Sequence, residues 1–410
     1  NAFIISAFAT GKFFMAIKHA AYLSGVLLIG SINVWAQDDA ENGYSCDFEI
    51  PSAQYLLDGN QMQIPPGSTI CLAPGERGPI RVKNISGTAD QPITIRNRDD
   101  QVLITPYEYS MALDNVSWLR VTSTPDPISG EYGIRLGGTI GVGMLSHHVE
   151  LDNLEIYWAR FAGILIKTDP TCNPDTWAEN FIMEGVHIHD NYIHDTKEGE
   201  GMYIGYTAKS RKLVCDGQEV TVYPHQLSDV RIYNNTLENI AADGIQISAI
   251  QSDAQVTDNR IYRTGVSPFA PVWQNTGIQA GGNDIEISGN QIIESGGNGM
   301  MLDGDNIRVT NNLVLSAGEN GIFARNAAQQ DSSLSGGLPH IYQNNTLIKS
   351  AHYGIKLYAT NTASAHILNG NLFETDGVMD VKGQYRTFSY LNDAVIREEG
   401  NNRHYTSTQP

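Results

Sequence analysis

Two acidic residues each stand one position before a glycine that opens a short apolar segment. Glu200 precedes Gly201-Met-Tyr-Ile, and Asp243 precedes Gly244-Ile-Gln-Ile. Two carboxyl groups brought close raise one another's pKa, so one can act as acid and the other as base, or together they can hold a cation. Glu198, Tyr203, Gln246 and Gln279 fall around them in the same register, with Lys167 and Asp169 one repeat earlier. Carboxylates, a phenol, carboxamides and an ammonium group are what recognition of a sugar chain requires: paired hydrogen bonds, a stacking surface and an acid/base couple. The plainer alternative is a solvated outer face, where polar side chains need no task.

Further candidates lie nearby. Lys167, Tyr203 or His225 could serve as a base, and Glu198, Glu200 and Asp243 could hold calcium. Trp177 and Trp273, with Tyr206, Tyr223 and Phe269, fall in three insertions at 167–180, 206–227 and 264–276. Such aromatics suit sugar stacking or, equally, packing of the loops. His187 and His189 alternate with Val186 and Ile188, which points them outward on another face. Outward alternation explains this His-x-His better than a metal does. His194 and Asp195, on the turn toward Glu200, read as supporting partners. Asp303, Arg325, Lys356 and Tyr358 read as a surface ion network. No nucleotide loop, serine elbow or zinc signature occurs in a matching context.

The elements that must position these residues form a repeat. Alternating apolar residues lead to Asn, then to a polar turn, then to Gly followed by apolar-x-apolar. Copies run from Asn153, Asn191, Asn235, Asn259, Asn290, Asn312 and Asn345 to Gly163, Gly201, Gly244, Gly277, Gly299, Gly321 and Gly354, and Asn371 opens a decayed copy. Period-2 alternation with Asn and Gly punctuation means short strands and tight turns. A unit of this size cannot bury its own apolar face, so the copies stack into a solenoid, predicted as an all-β, right-handed parallel β-helix. Each Asn is expected to turn a corner in the left-handed conformation and bond the same Asn one coil away, and each Gly to permit the other corner. Coils stack about 4.8 Å apart, so Ala162, Glu200, Asp243, Thr276 and Asn298 should form one ladder. Leu165, Tyr203, Gln246, Gln279 and Met301 should form another, with Arg135 preceding them if Gly133 opens an earlier coil.

Composition bounds the class. The 410 residues carry 26 Lys+Arg against 45 Asp+Glu, a formal charge of −19. That balance argues against nucleic acid and anionic membranes as partners. Met15 to Lys18, the apolar stretch from Ala20 to Ile32, and Val34-Trp-Ala36 read as a secretory signal peptide, removed to leave no membrane span. The expected organisation is a leader at 1–36, a β-helix at 37–395 with a cap at 43–75, and a polar tail at 396–410, in a secreted monomer. The four cysteines lack CxxC spacing, and an oxidising compartment favours disulfides; Cys46–Cys71 with Cys172–Cys215 is the preferred of the three pairings.

Pro66-Gly-Ser-Thr-Ile-Cys-Leu-Ala-Pro-Gly75 and Gly87-Thr-Ala-Asp-Gln-Pro-Ile-Thr-Ile-Arg96 resemble the N-terminal region of secreted bacterial β-helix proteins of the pectate-lyase-like superfamily. They are similar in particular to alginate-lyase and chondroitinase-B-type polysaccharide lyases. The stretch from Lys167-Thr-Asp-Pro through His189-Asp-Asn-Tyr-Ile-His-Asp to Gly205 looks like a group of secreted β-helix repeat proteins. The resemblance implies a polysaccharide lyase for an acidic glycan, with calcium on acidic residues and a Lys and an Arg doing the chemistry. Glu198 and Glu200 resemble that acidic pair, while Ile204, Gly205 and Tyr206 stand where the lysine is expected. From the residues themselves, a glycoside hydrolase using Glu200 and Asp243, and a non-catalytic glycan-binding or adhesion solenoid, stand beside the lyase.

Overall fold

Alternation sends every second side chain inward, and only stacking closes the core that results. The computed structural model describes residues 45–125, 131–325, 339–358, 366–375, 388–391, 396–398 and 400–406; the expected leader lies outside them. The chain is a right-handed parallel β-helix. In a central coil a first-face strand, Met202–Ile204, leads through a loop to a second-face strand, Gln226–Tyr233, and then to a third-face strand, Thr236–Ile240. Among the described residues, third-face strands form a 12-stranded sheet, and the other two faces share a 22-stranded one. They merge because Ile245–Thr257, Ile278–Ser288 and Met300–Thr310 each run through both faces.

The apolar-x-apolar after each Gly becomes a first-face strand with its outer two residues inward. Ile164, Met202, Ile245, Ile278 and Met300 stack in register at 0% exposure. The glycines do not turn a left-handed corner. Each sits where coils touch: a Cβ on Gly201 would lie 2.6 Å from the carbonyl oxygen of Gly244, and one on Gly244 2.5 Å from that of Gly277.

The asparagine ladder runs through Asn191, Asn235, Asn259, Asn290, Asn312, Asn345, Asn371 and Asn402. Each backbone and side-chain N–H donates to the next Asn Oδ1 at 2.8–3.1 Å. Two expectations change here. The left-handed residue is the one before each Asn, such as Asp190, Asn234 and Asp258. Asn153 is outside the ladder, because its neighbour Leu154 occupies the rung and donates to Asn191 Oδ1.

The segment expected as a cap contributes paired strands, Phe48–Ile50 and Leu56–Asp58, while Met62 and Ile64 pack against the core. The C-terminal end differs from expectation too. The segment expected as a tail holds Ile396–Glu398 and Arg403–Thr406, paired with the preceding coil. Arg135 lies on the third face, beside Glu155, and not ahead of Leu165. The disulfides are Cys46–Cys71 and Cys172–Cys215, as preferred. The second ties the loop after Ile166 to a hairpin of Arg211–Cys215 and Gln218–Val222. Among the described residues, no helix is long and apolar enough to cross a membrane.

Candidate functional site

The backbone sets the ladder. The amides of Gly163, Gly201, Gly244 and Gly277 donate to the carbonyls of Glu200, Asp243, Thr276 and Asn298. Glu200 and Asp243 therefore occupy the same position in successive coils. Three residues further on, Leu165, Tyr203, Gln246, Gln279 and Met301 pair rung by rung along the face.

The face is flanked by the insertions. Loops 167–181 and 205–225 leave the C-terminal ends of its strands, and the disulfide joins them. Segment 265–275 arrives at the opposite side, rooted by amide bonds from Gly265, Val266 and Ser267 to Ala242, Ile240 and Ala241. This segment covers the acids. Gln274 Nε2 donates to Glu200 Oε1 at 2.9 Å, and the amide of Thr276 donates to Asp243 Oδ1 at 2.7 Å. Both carboxyl groups are 0% exposed, so the pair lies beneath an insertion and not on an open face. Burial pushes the Glu200 carboxyl up to about 7, against the opposing pull of its own backbone amide and Gln274. Its Oε2 has no hydrogen-bond partner among the described residues.

Lys167 is close to this centre but engaged. Its Nζ is 2.8 Å from Asp169 Oδ1, 5.7 Å from the Tyr203 ring centroid and 5.0 Å from that of Tyr206. The Tyr203 hydroxyl shares a hydrogen bond with Thr207 Oγ1 at 2.7 Å. Phe161 lies between the rings of Tyr203, at 5.7 Å, and Phe269, at 6.5 Å. Gln246 is buried, and the Oε1 of Gln279 is buried without a partner. Phe269, Val272 and Trp273 are exposed on the insertion.

Three expectations meet other geometry. His225 does not overhang the groove: it is fully buried, its Nε2 accepts from the Thr168 amide at 2.9 Å, and its Nδ1 donates to the Gln226 carbonyl. Burial also pulls its pKa down. A neutral ring bonded at both nitrogens holds a loop and offers no free base. Trp177 donates from Nε1 to the Thr171 carbonyl at 2.7 Å and bridges to Pro224, so it fastens the two loops together. The calcium set does not gather. Glu198 is exposed and paired with Arg160 at 3.2 Å, and it forms no converging group with the two buried acids among the described residues.

Among the described residues, the acidic and histidine ligand atoms that do converge belong to Glu150, Asp152 and His189, all within 4.8 Å of one another on the second face. Sequence reasoning placed His189 outward but missed its partners. The signal was Glu150-x-Asp152 one coil earlier, in register with His187 and His189. Arg120 fills this cluster, forked onto Asp152 at 2.8 and 2.9 Å. Burial pulls the His189 pKa down, but hydrogen bonds to Asp190 and Glu150 and the charge of Asp152 outweigh it, and it rises to about 9. Two cations already balance the acids there, so the cluster is a salt-bridge network.

Fold and site together define a parallel β-helix with a covered carboxyl pair between loop walls. The family described as "Right handed beta helix region" matches residues 129–279, the coils that hold the pair. No curated protein matches the chain. Among solved structures, an alginate lyase from Paenibacillus sp. str. FPU-7 is similar at 16% identity and a TM-score of 0.41, over 87% of this chain and 99% of its own. A PL6 family alginate lyase, AlyGC, is 16% identical with a TM-score of 0.48 over 86% of this chain, which spans about half, 53%, of that one. A GH136 lacto-N-biosidase from Eubacterium ramulus is 13% identical with a TM-score of 0.40, over 88% of this chain and 68% of its own. Likenesses this low carry no residue and no reaction across.

Proposed function

We propose that this chain is an exported carbohydrate-active enzyme that hydrolyses glycosidic bonds at its first face, with Glu200 as proton donor and Asp243 as its carboxylate partner. One observation carries the reading: the buried carboxyl of Glu200, raised to about 7, stands on the rung beside a second buried acid. A donor must keep its proton near working pH, and burial is how a carboxyl does so. Neighbouring rungs lie about 4.8 Å apart at the backbone, a spacing compatible with the roughly 5 Å between carboxyl groups of retaining glycosidases. Asp243 attacks the anomeric carbon as Glu200 protonates the departing oxygen. Water then takes the sugar from Asp243 and gives its proton to Glu200. Phe161, Phe269 and Trp273 offer ring faces at the rim, and the substrate enters as the insertion moves aside. Two disulfides support export to an oxidising compartment.

Elimination is the second reading, favoured by the ammonium of Lys167 over the Tyr203 ring. It also needs a neutraliser for the uronate carboxylate. The Glu198, Glu200 and Asp243 set does not fit calcium, and we derive no step through it. The products decide. Incubation with a broad panel of glycans should release reducing ends without the ultraviolet absorbance of an unsaturated sugar. An absorbing product would instead make the chain a lyase. Silence from folded protein would favour a binding solenoid.

A further inference from the structure

The carboxyl pair says how a bond is cut and leaves the sugar open. Among the described residues, four buried oxygens on this face and the insertion over it have no hydrogen-bond partner: Glu200 Oε2, Gln274 Oε1, Thr276 Oγ1 and Gln279 Oε1. They span the rungs from Glu200 to Thr276, a distance of roughly 10 Å at the spacing of parallel strands. A buried polar atom left unmet costs about 1–3 kcal/mol. The Gln274 and Gln279 oxygens only accept, while the Thr276 hydroxyl and the protonated Glu200 carboxyl donate as well as accept, so the set suits a ligand whose groups do both. Sugar hydroxyls do. An ionised uronate carboxylate only accepts, and the Gln274 and Gln279 oxygens would oppose it.

Charge points the same way. Glu200 and Asp243 lie on adjacent rungs, with Ala162 and Thr276 flanking them in the ladder. The ammonium of Lys167 is taken by Asp169, and Arg160 on the preceding turn by Glu198. A uronate would have to share these cations with the acids already bound to them.

We infer that this face, covered by the 265–275 insertion, takes an uncharged glycan, recognised through its hydroxyl groups, and turns polyuronates away. The inference rests on the face being a glycan site. Its substrate class is the reverse of the acidic glycan implied by the sequence resemblance.

The test is calorimetric titration of Glu200→Gln, which stops turnover and keeps the side chain's shape. The ligands are neutral oligosaccharides (gluco-, manno- and N-acetylhexosamine series) and oligouronates (mannuronate, guluronate and galacturonate series). Neutral ligands should bind about a hundredfold more tightly, since the Asp243 carboxylate that this variant keeps repels a uronate. The gap should narrow in Glu200→Gln/Asp243→Asn, where both acids are amides. Thr276→Val, which removes a hydroxyl that holds nothing in the fold, should weaken neutral ligands several-fold without lowering the unfolding free energy. Oligouronates binding as tightly as neutral ones would overturn the inference; if wild type also cleaved them in a Glu200-dependent way, the hydrolase reading would survive. No binding by either class to folded protein would overturn the inference and the glycan site together.

Discussion

Glu200 is where the fold and the chemistry oppose each other. Its folded pKa is about 7, above the ordinary 4.5, so the fold prefers the protonated form. The stability tied to that preference is complete below about pH 4.5 and is lost as pH rises through about 7. The loss is on the order of 3 kcal/mol. Glu200→Gln never ionises, so its urea-unfolding free energy should fall less between about pH 5 and 8 than that of wild type; identical slopes would mean that Glu200 is not the buried acid described. The register of Glu200 and Asp243 was readable, because each precedes a repeat glycine. Their burial was not. Gln274 comes from an insertion that keeps no repeat spacing, and nothing in the sequence says which way it folds. The same holds for His225, whose partner Thr168 is contributed by another loop.

At the level of elements, the asparagine ladder carries the corner between second and third faces. Asn259 accepts from the backbone and side-chain N–H of Asn235, and donates to Asn290 and to the Ile232 carbonyl. Asn259→Leu would strand several buried groups at about 1–3 kcal/mol each. It should lower unfolding free energy by several kcal/mol, whereas the same change at the partly buried Asn402 should cost less. Equal costs in calorimetric unfolding would show that the ladder is not the source of stability. The ladder was legible from Asn spacing alone. Its exact corner was not, since Asp, Asn and Gly all supply the left-handed residue just before it, and only the rung bonds separate Asn153 from Asn191. Arg135 was placed on the wrong face for a related reason: Gly133 precedes a strand, but a third-face one.

Across the whole molecule, the solenoid turns a short repeat into a long rigid wall. Function is then left to the places where the repeat is interrupted. The strands place Glu200 beside Asp243, and the interruptions at 167–181, 205–225 and 265–275 decide what can reach them. That division explains why fold was plain in the sequence and site only partly so: periodicity reports stacking, while loop paths depend on contacts such as Trp177 with Thr171 or Cys172 with Cys215. The central claim is that the buried pair performs acid/base hydrolysis. The most direct measurement is turnover of the best panel substrate by wild type, Glu200→Gln and Asp243→Asn, with binding of the same substrate alongside. Loss of kcat by about a hundredfold or more, with binding retained within a few-fold, is the predicted result. Wild-type turnover in either amide variant would contradict the account.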